Sequence, residues 1–198
     1  YVRSAMPAIN LDLVTNGNLL TEKLIDALIA AGLSTLSVSL NAVTAEKRAA
    51  IMHLDDFDHV VSMCRYALAA GAGKMRVIVK GVLSPDLMEM ADHAAFLEMW
   101  GGALETGGAG FVHLEGNWAG LIRPMRMTPT SACGRALNQI MVLQDGRVSL
   151  CCFDAEGAVI LGDLNTQTVR EVFAGEQAVG IRQAHVDGRR RELPLCAT

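Results

Sequence analysis

The sequence predicts an α/β fold built on a parallel sheet, followed by a smaller α+β unit. Three observations carry this. Strand-like and helix-like segments alternate through residues 1–123, the texture changes where Pro124 and Pro129 sit five residues apart, and four of the five cysteines fall beyond that point. Strands alternating with helices of this length imply right-handed βαβ crossovers and hence a parallel sheet. The expected division is residues 1–123 and residues 124–198.

Each element has a local reason. Ile9 to Val14 is a β-type run, a buried-looking strand with nothing ahead of it, ended by the turn signal Thr15-Asn16-Gly17. Thr21 can cap a helix whose apolar positions Leu20, Leu24, Ile25, Leu28 and Ile29 share one face, and Gly32 stops it. Leu33 to Leu40 reads as a second strand. Thr44 then caps a short helix, and a longer one runs from Asp56 to Ala70, closed by Gly71. Met75 to Leu83 is the third strand. Ser84-Pro85 supplies a cap and a proline at the first helical position, launching a helix to Trp100, and Phe111 to Leu114 is a fourth, shorter strand.

In the second part, Gln139 to Leu143 and Val148 to Cys152 flank Asp145-Gly146, the pattern of a β-hairpin. Helices are expected over Thr168 to Phe173 and Glu176 to His185. The basic run Arg189-Arg190-Arg191 is flanked by Asp187 and Glu192 and reads as a solvated helix end or turn.

Composition excludes several classes. A chain of 198 residues, 51% hydrophobic and 19% charged, is globular and long enough to bury a sizeable core. A net charge of -4 gives no electrostatic reason to expect nucleic acid or an anionic membrane. No stretch approaches the ~18–20 uninterrupted apolar residues of a membrane helix, and no secretory signal is visible. Five cysteines, an odd count, do not make a disulfide framework, so a cytoplasmic protein with free thiols is expected.

Those thiols are the candidate chemistry. Cys133 precedes the hairpin, Cys151 and Cys152 end its second strand, and Cys196 lies past the last helix. Thiolates from three separate segments suit iron–sulfur or zinc, not magnesium or calcium. Neighbours in a strand face opposite sides, so one of Cys151 and Cys152 is expected to meet the metal and the other to join the core. The competing reading is a set of unrelated buried cysteines, as Cys64 is expected to be in its helix beside Val60, Val61 and Leu68. Residue 1 is Tyr, and Cys196 opens a Cys-Ala-Thr triplet one residue short of a Cys-x-x-Cys hook. Both suggest an internal piece of a larger enzyme.

The ordered motifs resemble the radical S-adenosylmethionine superfamily, in its branch with a C-terminal SPASM or twitch auxiliary-cluster domain. Leu13-Val14-Thr15-Asn16-Gly17 is similar to the family's third strand and its turn, Leu36 to Asn41 to the fourth strand with its Ser-x-Asn/Asp ending, and Asn117-Trp118-Ala119-Gly120 to the Asn-x-x-Gly element after the sixth. Cys133-Gly134, Gly146-Arg147-Val148, Cys151-Cys152-Phe153-Asp154, Leu161-Gly162-Asp163-Leu164 and Val169 to Phe173 follow the auxiliary domain's order. The resemblance implies the C-terminal part of a partial (β/α)6 barrel, strands three to six, joined to an auxiliary [4Fe–4S] domain. The separations of 18 and 45 residues between Cys133, Cys151 and Cys196 look like the twitch spacing, which favours Cys151 over Cys152 as ligand. A fourth ligand would follow Thr198. The Cys-x-x-x-Cys-x-x-Cys loop that binds the radical-generating [4Fe–4S] cluster is not in this sequence, nor is the Gly-Gly-Glu-Pro-like turn. By this resemblance both would lie before Tyr1, and this piece alone would generate no radical.

The resemblance implies an enzyme that cleaves S-adenosylmethionine to a 5′-deoxyadenosyl radical and abstracts hydrogen from a peptide or small-molecule substrate. Its electron would come from a reducing protein such as a flavodoxin or ferredoxin. In parallel barrels, reactive groups gather at the C-terminal strand ends, here Thr15, Asn16, Ser39, Asn41, Lys80 and Asn117. Ser39 and Asn41 are two apart and would project together to hydrogen-bond the cofactor. They could instead cap a strand-end turn, as Asn16 could before Gly17. Lys80 faces cofactor, substrate or solvent, and His113 is either inward-facing or structural. The auxiliary cluster would anchor substrate or accept an electron. Two other classes compete: a non-catalytic thiolate-metal module, and an ordinary barrel enzyme with incidental cysteines.

Overall fold

The computed structural model describes residues 1–83, 90–101, 109–113 and 132–196. The chain divides into two units, Tyr1–His113 and Leu114–Thr198. The stretch Pro124 to Pro129 lies outside the described residues, as do the Ser84-Pro85 helix start, Asn117 and Trp118.

The first unit holds a four-stranded parallel sheet, β1 (Asp12–Thr15), β2 (Thr35–Ser39), β3 (Arg76–Leu83) and β4 (Ala109–His113), in the order β1-β2-β3-β4. Helix α1 (Val2–Ala5) precedes β1, α2 (Glu22–Ala30) links β1 to β2, α3 (Ala45–Met52) and α4 (Phe57–Ala70) link β2 to β3, and α5 (Met90–Trp100) precedes β4. Each strand lies beside the next in sequence, the progression of a barrel wall rather than a doubly wound sheet.

One face of this sheet makes the core. Leu36 and Val38 of β2 and Val77 and Val79 of β3 pack with Ile25 of α2, Val60, Cys64 and Ala67 of α4, and Phe96 and Trp100 of α5. Cys64 is wholly buried, as expected, and burial pushes its thiol up to about 12. Strand alternation puts Val14, Ser37, Ser39, Ile78 and Lys80 on the opposite face, since Val14 registers with Ser37 and Ser39 with Lys80.

Steric and capping signals act where the sequence places them. Thr21 and Thr44 accept the amides of Leu24 and Lys47, at 3.1 and 3.3 Å, and cap α2 and α3. Gly17 (φ +86°) is required twice over. Its backbone is left-handed, and a Cβ there would stand 2.8 Å from Val60 and 2.9 Å from Val38. Gly17→Ala is therefore expected to cost about 2–3 kcal/mol through strain and overpacking, measurable as a lowered denaturant midpoint at constant slope.

Two expectations need correction. β1 starts at Asp12 and follows a helix rather than opening the fold. Among the described residues β1 pairs with β2 alone, and Leu13 is 38% and Val14 62% exposed rather than buried.

The second unit contains α6 (Gly134–Asn138), a three-stranded antiparallel sheet of β5 (Met141–Val142), β6 (Arg147–Ser149) and β7 (Ile160–Asp163), then α7 (Val169–Ala174) and α8 (Glu176–Val186). The hairpin turns at Gly146 (φ +90°), and Thr168 with Glu171 forms a reciprocal capping box on α7. β6 is shorter than expected. It ends at Ser149, so Cys151 and Cys152 lie in a turn, where strand alternation does not apply.

Candidate functional site

In the first unit, a buried arginine organises the C-terminal strand ends. Arg48 of α3 is fully buried. Its guanidinium donates to the main-chain oxygens of Asn16 (2.8 Å), Leu40 (2.9 Å) and Ser39 (3.2 Å), and pairs with Asp56 at 2.5 and 3.1 Å. One side chain thus ties the segment after β1 to the end of β2. Arg48 satisfies carbonyls that strand termination leaves open. The hydrogen bond from Arg48 holds the Asp56 carboxyl below its ordinary 3.8, against the opposing effect of desolvation. Asp56 heads α4 without capping it with its side chain, because the carboxylate serves Arg48.

The predicted strand-end residues divide into two groups. Thr15 and Asn16 act locally: their side-chain oxygens accept the amides of Gly17 (3.1 Å) and Asn18 (3.3 Å), an Asx/ST-turn arrangement. Ser39, Asn41 and Lys80 form the other group. Ser39 registers with Lys80 on the face opposite the helices, and neither side chain bonds a described residue. Asn41 lies past the strand in left-handed backbone (φ +55°), so the alternation expected to align it with Ser39 stops one residue short. Its amide Nδ2 donates to Met52 Sδ at 3.3 Å, while Oδ1 is buried with no partner among the described residues. A buried acceptor without a partner among the described residues, at a strand end that also carries a hydroxyl and an ammonium, fits a ligand bearing hydroxyl or ammonium donors and a carboxylate. Asn117 lies outside the described residues, and so does the side chain of His113.

In the second unit, three cysteines meet one core. Cys133 begins α6, Cys151 follows β6, and Cys196 ends a 3₁₀ turn at Pro194–Cys196; all three are half-buried and pack with Ala136, Leu150 and Ile181. Burial pushes the Cys196 thiol up to about 11, and Cys151 and Cys133 push it further while the Arg190 charge opposes. Cys151 is raised by burial too, countered by the Phe153 amide and raised again by Cys152 and Cys133. Among the described residues, no three His, Cys, Asp or Glu side chains gather tightly enough for one metal ion. A [4Fe–4S] cluster spreads its thiolates over separate irons, unlike tetrahedral zinc, which gathers them on one ion. Cys152 is exposed. It does not join the core, because the turn rotates it outward.

Two residues support this centre in roles the sequence pattern does not assign them, although Asp154 stands in the Cys151–Asp154 motif. Asp154 is 1% exposed and its carboxylate accepts the amides of Ala158 (2.7 Å), Val159 (3.0 Å) and Leu150 (3.4 Å), which closes the turn carrying Cys151. His185 on α8 is also 1% exposed, and its Nδ1 accepts the Cys133 amide at 3.2 Å. Burial, with the Arg190 charge adding, holds its imidazole below the ordinary histidine range. The arginine run behaves in part as expected. Arg189 bridges Asp187 and Glu192 at the surface, but Arg190 Nε donates to the Cys196 carbonyl at 3.2 Å.

Residues 133–198 match the SPASM family, described as an iron–sulfur cluster-binding domain. These residues, a third of the chain, are what the sequence shares with that family. The fold of the whole agrees with it. The structure of anSMEcpe with bound AdoMet aligns over 95% of this chain and 64% of its own length, at 16% identity and TM-score 0.57. The same protein with bound AdoMet and the Kp18Cys peptide gives 95%, 65%, 14% and 0.56. BtrN in complex with AdoMet and 2-DOIA aligns over 95% of this chain and 92% of its own, at 13% identity, but its TM-score of 0.42 is too low to argue from. The chain thus spans just under two thirds of anSMEcpe. No curated protein sequence matches it. The expected resemblance to the SPASM branch of the radical S-adenosylmethionine superfamily is borne out as a resemblance, by the iron–sulfur domain match over residues 133–198 and by likeness of fold to anSMEcpe. Among the described residues, no helix is long and apolar enough to cross a membrane.

Proposed function

We propose that this chain is part of a radical S-adenosylmethionine enzyme, in which the SPASM domain holds an auxiliary [4Fe–4S] cluster through Cys133, Cys151 and Cys196. The observation that carries this is the shared core of those three half-buried thiols inside the region matching the SPASM family. In such an enzyme the radical-generating [4Fe–4S] cluster, whose ligand loop is not in this sequence, would supply reductive cleavage of S-adenosylmethionine and hydrogen abstraction from a peptide or small-molecule substrate, and the auxiliary cluster would anchor substrate or accept an electron. The chain's own residues bind and orient. Asn41 Oδ1, the Ser39 hydroxyl and the Lys80 ammonium offer an acceptor and two donors at the strand ends, and Arg48 keeps those ends in register. The proposed electron donor is a flavodoxin- or ferredoxin-like protein.

Anaerobic reconstitution with iron and sulfide tests the reading. The wild-type chain is expected to take up a [4Fe–4S] centre with its charge-transfer absorption and, once reduced, an EPR signal. Uptake of zinc in preference to iron would favour a non-catalytic thiolate-metal module. Uptake of neither would return the cysteines to the role of core residues.

A further inference from the structure

His185 Nε2 is a buried polar atom without a partner among the described residues of the second unit. The imidazole sits on α8, four residues after Ile181, so the two share a helix face, and Ile181 packs into the core containing Cys133, Cys151 and Cys196. Its Nδ1 is occupied as the acceptor of the Cys133 N–H. An imidazole whose Nδ1 accepts carries its ring proton on Nε2, one ring carbon away. That N–H is buried and meets no acceptor among the described residues. A buried donor left unpaired costs about 1–3 kcal/mol, and native structures rarely leave one without a bound group to receive it. The same ring lies close to Arg190, whose Nε donates to the Cys196 carbonyl. His185 therefore stands between the segments that carry the first and last of the three thiols.

We propose that His185 is a positioning residue of the auxiliary centre: its Nε2–H donates a hydrogen bond to a cluster sulfide or to a ligating thiolate. This rests on the iron–sulfur reading above. The chemistry selects a donor role over ligation. To bind iron through Nε2 while Nδ1 accepts the Cys133 amide, the ring would have to lose both protons. A hydrogen bond to sulfur stabilises the more negative, reduced cluster and raises its reduction potential.

The test is an EPR-monitored redox titration of the reconstituted chain, wild type against His185→Phe and His185→Gln, alongside iron and sulfide analysis. His185→Phe keeps the ring volume and removes the donor. Its cluster is expected at full iron content with a more negative midpoint, so that at the wild-type midpoint the reduced-to-oxidised ratio falls about tenfold, the scale of one hydrogen bond to a charged group. His185→Gln, which retains an acceptor and a donor, is expected to restore part of the shift. An unchanged midpoint in His185→Phe would overturn the proposal. Should that variant fail to hold a cluster, pulsed EPR on wild type labelled with ¹⁵N-histidine decides instead: a histidine nitrogen coupled to the reduced cluster supports the donor role, and its absence refutes it. Failure of the wild type itself to take up iron and sulfide is a different result, which removes the iron–sulfur reading and this inference together.

Discussion

Serine in place of Cys133, Cys151 or Cys196 is expected to strip the auxiliary centre of most of its iron, while Cys152→Ser leaves it loaded. The three thiols share one core, and Cys152 is turned out to solvent. Loss of a group that merely orients a ligand already lowers metal affinity by about 10–100-fold, so loss of a ligand itself should exceed that. A serine hydroxyl is a harder donor and does not replace a thiolate on iron. Iron and sulfide content after anaerobic reconstitution, with the visible charge-transfer band, reads the effect directly. Equal loss from Cys152→Ser and Cys151→Ser would show that the turn after β6 presents both sulfurs, and the assignment of Cys151 would fall. Folding should survive, because each cysteine is only half-buried.

Arg48→Ala carries the other large effect, an expected loss of about 3–5 kcal/mol of folding stability. The cost has two sources. Asp56 is left without its cation, and the carbonyls of Asn16, Ser39 and Leu40 lose their donor. Replacing a buried ion pair by apolar residues is often tolerated, but the double variant Arg48→Met, Asp56→Leu should remain destabilised, since no apolar side chain bonds those carbonyls. Urea denaturation distinguishes the cases. A double variant as stable as wild type would mean that the carbonyl contacts contribute little. On the proposed reading of the strand ends as a cofactor site, S-adenosylmethionine affinity should also fall in both variants, because the Asn16 and Ser39–Asn41 segments would no longer be held together.

The same pair makes a pH prediction. Asp56 titrates below its ordinary 3.8 in the folded chain, so the pair's contribution is complete above that value and is lost as pH falls through the lower folded pKa. Wild type should therefore lose stability below about pH 4 more steeply than Arg48→Ala, which no longer has the pair to lose.

Periodicity, capping threonines and turn glycines place most described elements within a few residues, though not α1, α6 or β7, because these signals are contacts between near neighbours in the chain. Thr21, Thr44 and Thr168 each meet an amide three residues on, and Gly17 needs only its own φ and two packed valines. The order and spacing of the motifs likewise mark Cys133, Cys151 and Cys196. The strand expected to carry Cys151 and Cys152 ends sooner than its letters suggest. Strand-like character continues to Cys151, but Asp154 captures three amides around it and the ladder stops at Ser149. That competition between a ladder and a side chain is invisible in a run of letters.

Arg48, Asp154 and His185 are illegible in the sequence for a common reason. A charged or polar residue in an amphipathic segment reads as solvent-facing, and only its packed surroundings overturn that. Arg48 meets Asn16 across 32 residues and His185 meets Cys133 across 52. The chain's letters therefore determined its α/β class, its helix ends and its thiol set, since these depend on local sterics and on which atoms bind soft metals. Tertiary structure alone decided which strand ends are clamped, which cysteine faces outward and which imidazole is buried with a proton to give, because burial is a property of neighbours that the sequence does not place side by side.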